Sequence, residues 1–332
     1  MITQAKGADC LHAHCLNGRI SLMNSRKIIA DAWLFTRENK NLMWAFGFVP
    51  AIVETLIGIL YLMYQFFSFK RSPLFENAPH SFLTEVITAT VNFLNDHANF
   101  WIPFIIITII VLILYALLPT LLQGGLIQVI AKKKMNEEIS ITRGISLAFL
   151  VFLPLLEYHL LVKSFSVFSL LTEAAFILRN LGTGAMEILL PVFILAVAIG
   201  LILTLLFTYS EFFVVLKKKP VLSSMGRSAK LVILSWQHTF LIAILMMIIG
   251  LRVVFNIIAV LLVPALLFVS AGLLATVALA KAGIVIGVVM SFIGLFVASY
   301  FTGILHIFAN AVWTFTFLEL MDEASVKEHF GE

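Results

Sequence analysis

The side chains with the most capacity for chemistry lie inside long apolar runs: Glu54, Glu157, His159, Lys163, Arg252 and Asn256. Counted from the starts of their runs, Glu54, Glu157 and Arg252 lie about 12, 13 and 14 residues in, so at ~1.5 Å per helical residue they share one depth. A lone charge in mid-bilayer costs about 2.5–3.5 kcal/mol by insertion scales. The three are therefore expected to meet, Arg252 pairing with Glu157 or Glu54 and Asn256 following one turn on. A dry cluster of this kind fixes helix packing; one open to water can pass a proton or an ion. His159 and Lys163 share a helix face at i, i+4, the spacing of a proton relay or of a polar pair at a helix interface, and His306 and Asn310 repeat it.

Other chemistry is thin. Cys10, His12, His14 and Cys15 bring four N/S donors together. Zinc sites join two separated ligand couples, so a tail without metal is the plainer reading. The chain has no HExxH helix, no GxxxxGK[ST] phosphate loop and no GxSxG elbow. Neither enzyme activity, cofactor nor metal is expected. The 30 phenylalanines read as lipid-facing filler, not as the lining of a cofactor box.

The elements that must position these residues follow from composition. Of 332 residues, 61% are hydrophobic and 12% charged, with mean hydropathy +1.06, against about 25% charged in an ordinary soluble domain. The fold class is all-α: a polytopic transmembrane helical bundle. Apolar runs at 42–69, 100–130, 144–171, 187–216, 238–263 and 283–318 give about six spans. Residues 264–280 are apolar but short, and could span, re-enter or extend the fifth helix. Pro154, Pro191 and Pro264 are candidate breaks. The segment 172–186 reads as a loop or short surface helix. Residues 1–24 are expected to be a disordered extension, with Met1 or Met23 as the start, 25–322 a single transmembrane domain, and 323–332 a polar tail. No apolar core of a signal peptide is visible in 1–41, and two cysteines build no disulfide framework.

The stretch 217–236 organises the rest. Lys217, Lys218 and Lys219 close one apolar run, and Pro220 suits a helix start. Val221, Leu222, Met225, Ala229 and Val232 then recur at helical spacing between Ser223, Ser224, Arg227 and Lys230. This is the pattern of a short basic amphipathic helix lying on a membrane face, with Lys217, Lys218, Lys219, Arg227 and Lys230 as its cationic side. With both termini inside, sixteen of the 22 Lys and Arg fall on the cytoplasmic side. That distribution implies an N-terminus inside, in a prokaryotic inner membrane. Three lead-ins share an arginine followed nine residues later by an aromatic: Arg26 and Phe35, Arg143 and Phe152, Arg227 and Trp236. They suggest three parallel units, each a cytoplasmic amphipathic segment feeding a helical hairpin.

The segment MGRSAKLVILSW, with Ser228 and Trp236, resembles a late segment of a loose group of prokaryotic six-helix inner-membrane proteins. The group includes the membrane domain found with some glycerophosphoryl diester phosphodiesterases. Gly124 and Gly125 before a basic turn, and the last apolar run at 300–318, fit the same pattern. The resemblance implies a membrane domain whose phosphodiesterase part, with its metal-binding carboxylates, is not represented here. The expected function is non-catalytic: contact with anionic lipid headgroups at the cytoplasmic face, with a protein partner or a homo-oligomer, and no nucleic acid. The alternative is a small-solute transporter with broken helices around a midplane polar site; a membrane-embedded enzyme ranks third.

Overall fold

The structure, a computed structural model, describes residues 25–70, 82–163, 166–252, 258 and 280–330. Among them are helices and connecting turns, and no strand. Helix α1 (Ser25–Glu38) buries Ile28, Ala32 and Thr36 at four-residue spacing and leaves Arg26, Lys27 and Arg37 exposed. It ends at Asn39, whose amide donates to the Phe35 carbonyl at 2.9 Å. Helix α2 (Lys40–Lys70) follows, opened by a π-helical turn over Met43–Phe48. After α3 (Phe82–Asp96), a 3₁₀ turn leads into α4 (Trp101–Lys134).

Helix α4 closes on a left-handed Asn136 (φ 59°). The Glu137 N–H donates to the Lys132 carbonyl at 3.0 Å and the Asn136 N–H to Lys133 at 3.1 Å, which satisfies carbonyls the helix end leaves open. The chain then reverses into α5 (Ile141–Lys163). Small residues let the two helices touch. A Cβ on Gly144 would stand 2.5 Å from Val129 Cγ2, and one on Gly125 would stand 2.9 Å from the Phe46 ring and 3.0 Å from the Gly144 carbonyl oxygen.

Helix α6 (Val167–Leu206) bends at Gly182, whose φ of 79° and ψ of −176° suit glycine alone. Short α7 (Ser210–Lys217) and α8 (Val221–Leu234) follow. Helix α9 (Trp236–Arg252) leaves α8 at 97°, and α10 (Ala280–Phe330) returns. Pro220 is the N-cap of α8 and Val221 its first residue, one step later than the sequence pattern suggests.

Among the described residues, five helical stretches are long and apolar enough to cross a membrane, six when the bent α8–α9 pair is taken as one. The packed core occupies only one end of them. It gathers Ile28 and Ala32 of α1, Phe46 of the π turn, Leu126–Ile130 of α4, Leu155 of α5, Phe212 and Phe213 of α7, Leu231 of α8 and Ile307–Phe317 of α10. Helix α10 runs through its middle. The π turn crosses it backbone to backbone, since a Cβ on Gly47 would lie 2.7 Å from the Gly303 carbonyl oxygen. Toward the other end the apolar side chains are bare, as at Ile102–Ile107 and Ile194–Ile202. Apolar surface on that scale has to be covered by something other than water.

Four expectations change. The phenylalanines are not all filler: Phe46, Phe212, Phe213, Phe315 and Phe317 are buried, and Phe317 packs its ring 5.6 Å from Phe212 and 5.0 Å from Phe213. Segment 172–186, expected as a loop or a short surface helix, is helical on both sides of Gly182 and belongs to the long α6. Two of the three candidate prolines do not break their helices, because α5 runs on through Pro154 and α6 through Pro191, while Pro264 lies outside the described residues. The polar tail from 323 continues α10 as helix to Phe330. Residues 264–280 lie outside the described residues but for Ala280, which opens α10, as do 1–24.

Candidate functional site

The core end carries the cations. Arg26, Lys27, Arg37 and Lys40 of α1 and its exit, Lys134 and Arg143 of the α4–α5 turn, and Lys217, Lys218, Lys219, Arg227 and Lys230 of α7–α8 are all exposed. The five cations picked out from sequence are all exposed, Lys217–Lys219 where α7 turns into α8 and Arg227 and Lys230 within one turn of each other on α8. Lys218 adopts a left-handed conformation (φ 50°, ψ 40°) where α7 turns into α8.

Helix α8 is seated on the bundle by its small and branched residues. Val221, Ser224, Ser228, Leu231 and Val232 are buried and Met225 and Ala229 half-buried, while Leu222 (75% exposed), Ile233, Leu234 and Trp236 (59%) point outward. It therefore has three faces: one on the core, an apolar one of Leu222 and Ile233, and a cationic one of Arg227 and Lys230 with Leu234 between them, while Trp236 opens α9 just beyond. Helix α1 also buries one face, but its outward Trp33 and Leu34 lie interleaved with Arg26, Lys27 and Arg37. Two polar contacts hold α1 and its exit to α4, and a third joins α4 to α10. Lys134 Nζ lies 3.8 Å from Asp31 and 4.4 Å above the Phe315 ring, and Lys133 donates to the Asn39 side-chain carbonyl.

Beneath this face α6 is broken at Phe207–Tyr209, and side chains from two other helices mend it. The Ser228 hydroxyl accepts from the Tyr209 N–H at 3.1 Å and donates to the Leu206 carbonyl at 2.7 Å. The Tyr158 hydroxyl donates to the Phe207 carbonyl at 3.0 Å. The Tyr209 hydroxyl meets Thr239 Oγ1 of α9 at 3.2 Å, and Gln123 of α4 donates to Glu211 Oε2 at 2.7 Å. Each is a polar group satisfied inside apolar surroundings, where an unmet one would be costly. One linked set of bonds thus ties α4, α5, α7, α8 and α9 to the same break.

The expected midplane pairing is not seen among the described residues. Glu54, Glu157 and Arg252 are all exposed, and Arg252 forms no ion pair with either acid among the described residues. The depth argument gave each charge its height but not its azimuth. A helix places successive residues about 100° apart, so equal depth does not imply a shared face. Asn256 and the Lys163 side chain lie outside what the structure describes. His159 is half-buried, its ring 5.4 Å from Tyr158. In the other i, i+4 pair the Asn310 amide donates to the His306 carbonyl at 2.8 Å. The His306 ring meets the Phe46 backbone of the π turn, so no ring-to-amide relay forms.

The three lead-ins can be compared by burial. Gly144, Ala148 and Val151 of α5 are buried one, five and eight residues after Arg143; Ser228 and Val232 of α8 are buried one and five after Arg227. In α1 the buried Ile28 and Ala32 fall one and five residues after Lys27. The first lead-in is thus one residue out of step, and Lys27 rather than Arg26 stands opposite Arg143 and Arg227.

No family model, curated protein or solved structure matches the chain. Its site has to be read from its own chemistry. Among the described residues no group of three or more His, Cys, Asp or Glu could hold a metal ion. Two features escaped the sequence. Ser228 carried part of the resemblance but nothing in its segment marked it as the partner of a helix break, and Glu211 was visible only as the end of an apolar run. The one local signal was the pairing of Tyr209 and Glu211 at the close of that run, a polar interruption just before the lysines.

Proposed function

We propose that the chain is a non-catalytic integral protein of a prokaryotic inner membrane. Its basic end faces the cytoplasm and holds anionic lipid headgroups against the inner leaflet. The observation that carries this reading is the three-sided form of α8: core on one side, Leu222 and Ile233 bare on the second, Arg227 and Lys230 on the third, with Lys217–Lys219 exposed at its entry and Trp236 bare just past its end. A helix lying in the headgroup region needs those three surroundings together. Tryptophans suit that depth, and Trp33, Trp44 and Trp236 are all partly bare at the same end. Each Lys or Arg near an anionic leaflet contributes about 1 kcal/mol of attraction at low salt, so five suffice to fix the helix in place. The positive-inside distribution gives the sidedness. The resemblance to the membrane domains found with some phosphodiesterases agrees with a membrane part that acts by placement rather than by chemistry.

The test is thermal unfolding in nanodiscs of phosphatidylglycerol or phosphatidylcholine. The expected result is a higher unfolding temperature in the anionic disc. That gain should vanish when Lys217, Lys218, Lys219, Arg227 and Lys230 are all changed to Gln, and shrink in high salt. Equal gains in the two proteins would reject the reading.

A small-solute transporter is the second reading, favoured by the broken helix with Glu211 beside it. It ranks lower because the Leu206 and Phe207 carbonyls, which a solute or ion would use, are already taken by Ser228 and Tyr158.

A further inference from the structure

At the opposite end of the bundle, the last turns of α2 and the first of α6 enclose a groove of about 600 Å³, within the range of small-molecule sites. Its walls are mostly apolar, with Phe66 and Ala175 among them, and its polar atoms come from Tyr61, Gln65, Thr172 and Lys70. Tyr61 donates to Thr172 Oγ1 at 3.2 Å across it, and Gln65 hydrogen-bonds to Tyr61.

Beside this groove lies Arg179, only 8% exposed. Its Nη1 donates to Gln65 Oε1 at 2.7 Å, and its guanidinium lies 5.4 Å from the Tyr64 ring centroid and 5.8 Å from that of Phe176. These contacts use one of five N–H donors and cancel none of the charge. No carboxylate pairs with Arg179 or with Lys70 among the described residues. Glu173, six residues earlier on α6, is bonded to Ser169 at 3.4 Å. A buried guanidinium with neutral partners alone is costly unless an anion completes it. The bend at Gly182 keeps α6 beyond it free to follow its own course, so Val167–Leu181 can serve as a wall of its own.

We infer that this groove binds an anionic amphiphile, its acidic headgroup between Arg179 and Lys70 and its alkyl chain along Phe66 and Ala175. A planar guanidinium fits a phosphate or carboxylate through two parallel N–H bonds, and the apolar wall takes the chain. Neither half alone accounts for the site: a free anion leaves the groove empty, and a neutral amphiphile leaves the guanidinium uncompensated. The site lies apart from the basic face of α7 and α8 and does not depend on it.

The test uses the full chain in dodecyl maltoside micelles, labelled with a diazirine-bearing alkyl phosphate and mapped by peptide mass spectrometry. Label is expected on the peptides holding Tyr61–Lys70 and Leu171–Ala175. It should be saturable, displaced by dodecyl phosphate, and unaffected by inorganic phosphate. An alkyl maltoside carrying the same diazirine should label these peptides weakly. Arg179→Gln should weaken labelling at least about tenfold, the loss of a charge-assisted hydrogen bond. Ala175→Trp, which fills the groove and leaves the cation, should abolish it with the unfolding temperature preserved. If Arg179→Gln fails to fold, Ala175→Trp and the neutral probe decide. Equal labelling by the neutral probe, displacement by inorganic phosphate, unaltered labelling of Ala175→Trp or of a folded Arg179→Gln, or absence of label from the groove would overturn the inference. Because the label is located by peptide, loss of binding at the basic face would leave this result untouched.

Discussion

Replacing Ser228 by alanine removes one oxygen and leaves two backbone groups without partners. In the native chain that oxygen takes the Tyr209 N–H at 3.1 Å and gives its proton to the Leu206 carbonyl at 2.7 Å. Both groups are products of the α6 break, and Ser228 is fully buried, so water cannot replace it. Interhelical hydrogen bonds in membrane proteins average about 0.6 kcal/mol, whereas a buried donor or acceptor left unmet costs about 1–3 kcal/mol. Two orphaned groups in one change place Ser228→Ala at about 2–4 kcal/mol. At roughly 2–4 °C per kcal/mol for a large domain, the unfolding temperature in detergent should fall by about 5–10 °C. Ser224→Ala is the control. Ser224 is equally buried on the same helix, but its hydroxyl makes one long bond to the Lys219 carbonyl at 3.3 Å, so it should lose no more than about 1 kcal/mol. Light-scattering or fluorescence melts of the three proteins decide it. A Ser228→Ala melt within a degree of wild type, or equal to that of Ser224→Ala, would refute the claim that this serine mends the break.

Three further changes probe the frame. Gly47→Ala puts a methyl 2.7 Å from the Gly303 carbonyl and should cost about 1–3 kcal/mol by overpacking, while Gly58→Ala, with nothing within 4 Å, should gain up to about 1 kcal/mol of helix propensity; melts of the two proteins should move in opposite directions. Val232→Asp buries a carboxylate at a site 3% exposed and should leave no folded protein on size-exclusion chromatography. Leu222→Asp on the outward face should elute as wild type, and the reverse order would mean that α8 is seated on its other side. In a background lacking Cys10 and Cys15, an impermeant maleimide added outside whole cells should label Ala89→Cys of α3 and spare Ser223→Cys of α8; labelling of Ser223→Cys alone would invert the proposed topology.

How much of this was legible beforehand differs by kind of feature. The helices were readable because a long apolar run has few other ways to satisfy its backbone. The faces of α1 and α8 were readable because Ile28 and Ala32, or Val221 and Val232, repeat with the helical period. The site was harder. Depth along a helix can be counted from sequence, but the direction in which Glu157 or Arg252 points depends on which neighbour the helix packs against. That is settled by contacts such as Gly125 on Gly144 and Gly47 on Gly303, which join residues far apart in the chain. The mending of the α6 break by Ser228 and Tyr158 is of the same sort, since each side chain is ordinary in its own segment. Arg179 belongs to the segment 172–186, which reads as a loop or short surface helix; its contact with Gln65, more than a hundred positions earlier, is what the sequence does not show.

The account turns on whether the basic face of α7 and α8 touches anionic lipid. Electron spin resonance of spin-labelled lipids around the reconstituted protein measures this as the preference for phosphatidylglycerol over phosphatidylcholine in the motionally restricted fraction. The wild-type chain should prefer phosphatidylglycerol several-fold at low salt. The variant with Gln at 217, 218, 219, 227 and 230 should lose most of that preference while keeping the same number of restricted lipids. A preference unchanged by the five substitutions would contradict the account.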